Sequence, residues 1–337
     1  MKNKFDGMNG KEKNLYEEMW SDFDFSTMSV EVRRTKGSSN SYCFVGESDK
    51  KQLLARAFDI ENIDLFSEKY DMVTSGSGDE EQKITILRSS SLCALLHFYN
   101  VTKENPLCLE FITDKGKRKV EFIESFFEYK SPVIRKPSNM DVVLFGKDIN
   151  ENKDIILFLE SKFSEYYIDA NNVKNGISRQ YLREDRVSAP LYESSMLKRL
   201  GLRREDEDKG HFKLETIGEQ QIYIEGIKQM ISHFTGITNV INGKLYKGKK
   251  PANHKEVDKA IQNKEYKIIL GEIVFDRIIE KLEGSNYSKE YHELSLGIAE
   301  QIKGNDRFEI ITEELGYSLF KGSDHKIEPK IKAFYRY

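Results

Sequence analysis

The chain is 337 residues long, with 53 Lys and Arg against 56 Asp and Glu, a formal charge of −3. At 38% hydrophobic and 11% aromatic it can bury a core, which excludes a wholly disordered chain, while 32% charged residues demand a heavily solvated surface. The near-zero balance excludes a globally basic nucleic-acid protein but allows a local basic cleft, and the longest unbroken aliphatic and aromatic run, Ile155 to Leu159, falls far short of the roughly 20 residues that span a bilayer.

Met1 to Trp20 alternates charges without an apolar stretch, so no secretory signal is expected. Cys43, Cys93 and Cys108 are odd in number and lack metal-type spacing; they read as reduced thiols in a cytoplasmic protein. Residues 1–73 are expected to form an N-terminal extension with peripheral helices, one near Leu15 to Trp20 and one starting at about Lys51. After the breaker cluster Thr74-Ser75-Gly76-Ser77-Gly78, the spacing of Leu92, Leu95, Leu96 and Tyr99 predicts a buried helix over Ser89 to Tyr99, with serines for its N-cap.

The period then changes to about two. Leu107 to Ile112, Val120 to Tyr129, Met140 to Phe145 and Asp154 to Phe163 read as strands, the last two joined by a hairpin loop over Lys147 to Lys153. A polar, charged stretch at about 169–213 reads as a loosely packed insertion. Ile224, Ile227, Ile231 and Phe234 make one stripe of a helix over Ile222 to Gly236, with Gly236 as its C′ residue. Lys267 to Phe275 and Arg307 to Ile311 read as strands, with a helix near Tyr287 to Lys303 between them. The fold class is therefore α/β, with a core over 74–311 and a C-terminal segment over 312–337.

Chemistry concentrates at Asp141 and at Glu160-Ser161-Lys162. Residues two apart on a strand share a face, so Glu160 and Lys162 emerge together. If the preceding strand returns antiparallel through the Lys147 to Lys153 loop, Asp141 falls opposite Glu160; a slip of one residue would send it to the other face. Charges on apolar strands need a counter-ion or an aqueous cleft. Two carboxylates suit a hard divalent cation that keeps water and phosphate oxygens, and a lysine beside it could position or help deprotonate attacking water. The implied reaction is phosphodiester hydrolysis. Glu-x-Lys alone is uninformative, since an acid and a lysine recur at that spacing at Glu128/Lys130, Glu151/Lys153 and Glu265/Lys267, and a surface ion pair at a strand end gives the same letters.

The arrangement resembles the PD-(D/E)XK nuclease superfamily and, within it, a bacterial family of restriction-endonuclease-like proteins. The matching pieces are Ser75 to Glu80, Ser89 to Leu95, Phe127 to Tyr129, Ser138-Asn139-Met140-Asp141-Val142-Val143-Leu144, Leu159-Glu160-Ser161-Lys162-Phe163-Ser164-Glu165 and Lys228 to His233, together covering Thr74 to Gly236. The resemblance implies a core of helix, three-stranded meander, helix and strand. It makes Asp141 and Glu160 the metal ligands and Lys162 the catalytic lysine, with Met140 where the superfamily's namesake has proline. Glu80 becomes the candidate third acid, with Glu128 as the alternative and Glu165 a lesser one. Gln229 becomes a contact to phosphate or metal-bound water and His233 a ligand or base, although both also fit the plain polar face of an amphipathic helix. The implied cofactor is Mg²⁺, with Mn²⁺ as a substitute. The implied partner is duplex DNA, in a type II restriction or defence setting, with a homodimer the arrangement that cuts two strands.

Phosphates need cations. One basic group is Lys115, Lys117, Arg118 and Lys119; another runs through Lys244, Lys247, Lys249, Lys250 and Lys255. Of these, Lys117, Arg118, Lys247, Lys249 and Lys250 are the candidate DNA contacts. No helix-turn-helix or zinc finger is visible, no Walker A loop calls for a nucleotide cofactor, and no nucleophile elbow suggests a serine triad. The rival to the nuclease is a catalytically silent module that keeps the fold to bind nucleic acid or protein.

Overall fold

The computed structural model describes residues 10–34, 40–46, 48–75, 80–134, 136–168, 176–206, 210–248, 254–276 and 287–337. The first elements are α1 (Gly10–Trp20), β1 (Val30–Arg34), β2 (Asn40–Phe44), α2 (Lys50–Ala57), α3 (Ile63–Thr74), α4 (Glu80–Lys83) and α5 (Ser90–Phe98). The central strands follow as β3 (Leu107–Thr113), β4 (Gly116–Pro132), β5 (Pro137–Asp148) and β6 (Asp154–Lys162). Next come α6 (Glu165–Ile168), β7 (Ile177–Ser178), α7 (Ser194–Arg199), β8 (Leu202–Asp206) and β9 (His211–Thr216). The chain continues through α8 (Ile224–Ile241), α9 (His254–Gln262), β10 (Lys267–Val274), α10 (Tyr287–Gln301), β11 (Phe308–Ile310), β12 (Leu315–Gly316) and α11 (Pro329–Tyr335).

One mixed sheet runs β11-β10-β6-β5-β4-β3, with β12 also beside β10. The β3 to β6 run is an antiparallel meander, and β10 joins β6 in parallel. Position in the sheet follows from the side chains. Along β3, at an edge, buried and exposed residues alternate, with Leu107, Leu109 and Phe111 inward. The Ile155 to Leu159 run of β6 is buried on both faces, so it takes the centre. Ser89 accepts from the Leu92 N–H at 3.3 Å and starts α5, which covers one face: the Ser161 hydroxyl donates to the Ser90 carbonyl there. The opposite face of β6, carrying Glu160 and Lys162, meets α8.

Several expectations need correction. Gly236 lies inside α8 rather than beyond its end, because a β-carbon there would collide with Ser131 on β4; the glycine admits a close helix–strand approach. The described N-terminal residues, from Gly10 on, pack into the core rather than at its periphery, through Leu15, Tyr16, Met19 and Trp20. Trp20 is fully buried, donates from Nε1 to the Phe334 carbonyl of α11 at 3.0 Å and stacks 6.1 Å from Phe163 at the end of β6. The described part of the insertion is ordered around a small sheet, β7-β9-β8, with Leu191, Tyr192, Met196 and Leu197 buried. Surface pairs such as Arg179 with Asp206 and Arg203 with Glu215 carry part of its charge, while its buried residues join the main core.

The sheet curls until its two edges meet at one end. Thr113 of β3 bridges Ile311 just past β11, and the Thr312 N–H donates to the Ile112 carbonyl at 3.0 Å. Arg118 braces this closure. It binds Glu309 of β11 through two nitrogens, at 2.9 and 2.7 Å, and also pairs with Glu151 in the β5–β6 turn. Lys267 adds contacts to Glu151 at 2.6 Å and Glu309 at 3.5 Å. Arg118, a candidate DNA contact by sequence, is buried with its guanidinium engaged by Glu309 and Glu151 rather than open to a phosphate. Removing one partner of a buried pair leaves the other uncompensated. Arg118→Ala is expected to lower stability by about 3 kcal/mol in urea unfolding; a loss near zero would show that Glu309 does not depend on it.

Candidate functional site

The strand register gathers four acids. Val142 pairs with Leu159, so one step further Asp141 lies opposite Glu160, as the hairpin geometry predicts. Phe127 pairs with Val142 and Tyr129 with Met140, which sets Glu128 opposite Asp141 on the other side. Glu272 of β10 pairs with Glu160. Glu128, Asp141, Glu160 and Glu272 thus form a row across four adjacent strands. Glu128 holds a left-handed backbone, φ 52°, where the ladder skips a pairing. A non-glycine residue there costs about 1–3 kcal/mol and is found mainly where the surroundings impose it.

Lys162 stands beside this row and is almost fully buried, at 3% exposure. Its Nζ lies 2.5 Å from Glu160 Oε1 and donates to Gln229 Oε1 on α8 at 2.8 Å. The Tyr223 ring centre is 5.8 Å away. Burial alone would strip the proton from this lysine, but Glu160 and the other anionic groups around it raise its affinity well above the ordinary value. Its surroundings therefore favour the charged ammonium form. The other Glu160 oxygen, Oε2, receives His233 Nε2 at 2.8 Å, and His233 Nδ1 meets Ser138 Oγ at 2.5 Å. Burial works against the Glu160 charge, yet Lys162 and His233 together hold its carboxyl down at about 2.

Asp141 is half-buried and accepts from the Ser161 N–H at 2.7 Å. Burial, and next the negative charges of Glu160 and Glu128, push its carboxyl well up. Glu272 is pushed to about 8, first by burial, against the opposing influence of Lys162 and of the Tyr287 hydroxyl that donates to it; the Glu160 charge adds to the rise.

No match is found when the chain is compared with protein-family models, with curated proteins or with solved structures.

The sequence-based candidates divide clearly. Asp141, Glu160, Lys162 and Gln229 come together, with Glu128 beside Asp141. The face of α8 that carries Gln229 and His233 turns into the site rather than to solvent, and Ser138, His233 and Glu160 lie in one hydrogen-bonded line that the sequence did not suggest. Glu165 ends β6 instead, accepting from the Phe163 and Ser164 N–H groups at 2.8 and 2.9 Å. The Glu80 side chain lies outside the described residues, as do Lys249 and Lys250. Lys247 is exposed. Lys117 is exposed but 2.6 Å from Glu110. Lys117 and Arg118 sit near the start of β4, with Glu128 ten or more residues further on. That is on the order of 30 Å of extended strand, so this basic group is remote from the acids. Glu272 went unnoticed, though its signal was present as a single acid within Ile268-Ile269-Leu270-Gly271-Glu272-Ile273-Val274.

Among the described residues no three His, Cys, Asp or Glu side chains converge as a metal group. The donor set is the Asp141–Glu160 pair, and its chemistry suits Mg²⁺, which accepts one or two carboxylates and completes its shell with water and phosphate. The upward push on Asp141 by its acidic neighbours is a crowding of negative charge that a divalent cation would relieve.

Glu272 generates a pH prediction. Its folded value of about 8 exceeds the ordinary 4.5, so between these the folded chain keeps a proton that the unfolded chain has released. Its contribution to stability is full below 4.5 and is lost as pH rises through about 8. The wild-type melting temperature should therefore fall more steeply than that of Glu272→Gln between pH 6 and 9; parallel curves would sink the assignment.

Proposed function

We propose that the protein is a metal-dependent endonuclease of the restriction-endonuclease-like kind, hydrolysing phosphodiester bonds of duplex DNA with Mg²⁺, for which Mn²⁺ substitutes. The observation that carries this is the meeting of Asp141 and Glu160 on neighbouring strands with a buried, charged Lys162, its Nζ 2.5 Å from Glu160 Oε1. The element order supports the fold: α5, the meander β4-β5-β6, then α8 and β10 follow the helix, three-stranded meander, helix and strand of the resemblance.

In this reading Asp141 and Glu160 would hold the cation, which would supply Lewis-acid stabilisation of the phosphate charge. Lys162 keeps its proton and opposes the negative charge that grows on the phosphate, an electrostatic role that needs no reorganisation because Glu160 and Gln229 already fix the ammonium. Gln229 steers that ammonium through its side-chain carbonyl. Glu128, opposite Asp141, is a stronger candidate for a third acid than the sequence alone made it. DNA as the substrate, and a dimer as the cutting unit, rest on the resemblance.

The silent binding module stays as a second reading because of one observation. Glu160 is 2% exposed and both its oxygens already have partners, so a buried cluster of this kind could persist for packing alone.

Calorimetry separates the two. Wild-type protein is expected to bind Mn²⁺ or Mg²⁺, the Asp141→Ala/Glu160→Ala protein to lose that binding, and Lys162→Met to keep the cation yet fail to cleave plasmid DNA. If the wild type binds neither metal even with duplex DNA present, the silent module becomes the better description.

A further inference from the structure

Each member of the buried Glu160–Lys162 pair is held by one residue of α8, and the two holders are one helical turn apart: Gln229 binds Lys162 and His233 binds Glu160. The Gln229 contact is part of the function proposed above. The His233 contact carries a further step, because the hydrogen-bonded line does not stop at the ring.

An ionised carboxylate can only accept, so the proton between His233 and Glu160 belongs to Nε2. In the neutral ring Nδ1 is then an acceptor, and the group facing it at 2.5 Å is the Ser138 hydroxyl, which can donate. His233 donates to Glu160 through Nε2, and Nδ1 shares a hydrogen bond with the Ser138 hydroxyl, which donates to a neutral ring and accepts from a protonated one. Ser138 and His233 are 6% and 2% exposed. The line joins β5, α8 and β6 and fixes the ring's orientation from both sides. With both nitrogens engaged, the imidazole is placed to orient the carboxylate rather than to bind a cation itself.

We infer that His233, oriented by Ser138, is a positioning residue that aims the Glu160 carboxylate at the divalent cation. This rests on the nuclease reading. Supports of this type, one hydrogen bond removed from a metal, commonly change affinity by about 10- to 100-fold.

The test compares His233→Leu, which fills the space without a donor, with His233→Gln, whose amide nitrogen can stand near the lost Nε2 and donate to Glu160. Mn²⁺ dissociation constants are measured by calorimetry without DNA, on proteins whose fold is checked by circular dichroism. His233→Leu should weaken Mn²⁺ binding by about 10- to 100-fold, and His233→Gln should recover most of the loss. Equal affinity in wild type and His233→Leu overturns the inference while leaving the nuclease reading intact, and so does a glutamine variant no better than the leucine one. A wild type that binds no Mn²⁺ even with duplex DNA present overturns both. Should His233→Leu fail to fold, the ¹⁵N spectrum of the wild-type imidazole decides: a proton on Nε2 is expected, and a neutral ring protonated on Nδ1 overturns the inference.

Discussion

A carboxylate and an ammonium at the heart of an apolar sheet survive burial only by facing one another, and that constraint organises this protein. Glu160 and Lys162 sit on β6, a central strand whose Ile155 to Leu159 run is wholly buried, with helices over both of its faces. Desolvating either charge alone would cost several kcal/mol. Their mutual contact, extended by Gln229 and His233, lets the central strand stay buried while carrying polar chemistry at its C-terminal end. The helix opposite must then do two jobs: α8 presents Ile227, Ile231 and Phe234 to the core and Gln229 with His233 to the charged pair.

Like charges directly opposed on adjacent strands are destabilising. A row running Glu128, Asp141, Glu160 and Glu272 is therefore a costly pattern, and the protein manages it unevenly. Glu160 is stabilised as an anion by its cationic and N–H partners, whereas burial favours the protonated forms of Asp141 and Glu272. Acids pushed in opposite directions within one row are a pattern that functional sites share with structural ion-pair networks.

The sequence made the meander and its charged residues legible, because alternation and apolar runs report directly on strand burial. The Asp141–Glu160 alignment followed from hairpin geometry alone. What stayed hidden depends on long-range approach. Gly236 looked like a helix end since nothing in the local pattern reveals Ser131 of β4 beside it. His233 looked like a solvent-facing residue because a helix wheel cannot say which polar face meets a second polar surface. Arg118 looked available to phosphate because its partner Glu309 is 191 residues away in the chain. Trp20 gave no periodic signal, and its place in the core comes from the C-terminal helix and the end of β6 closing around it.

The curl of the sheet has a consequence for how this molecule behaves in company. Open sheets end in strands whose backbone groups can template pairing with another chain, the first step of many aggregation routes. Here, where β3 and the segment after β11 meet, the two edges consume one another: the Ile112 carbonyl, the Asp114 N–H and the Ile310 N–H and carbonyl are all bonded within the chain. The Arg118 brace over that seam thus guards the protein against sticking edge to edge at that end, a protection built from one buried guanidinium.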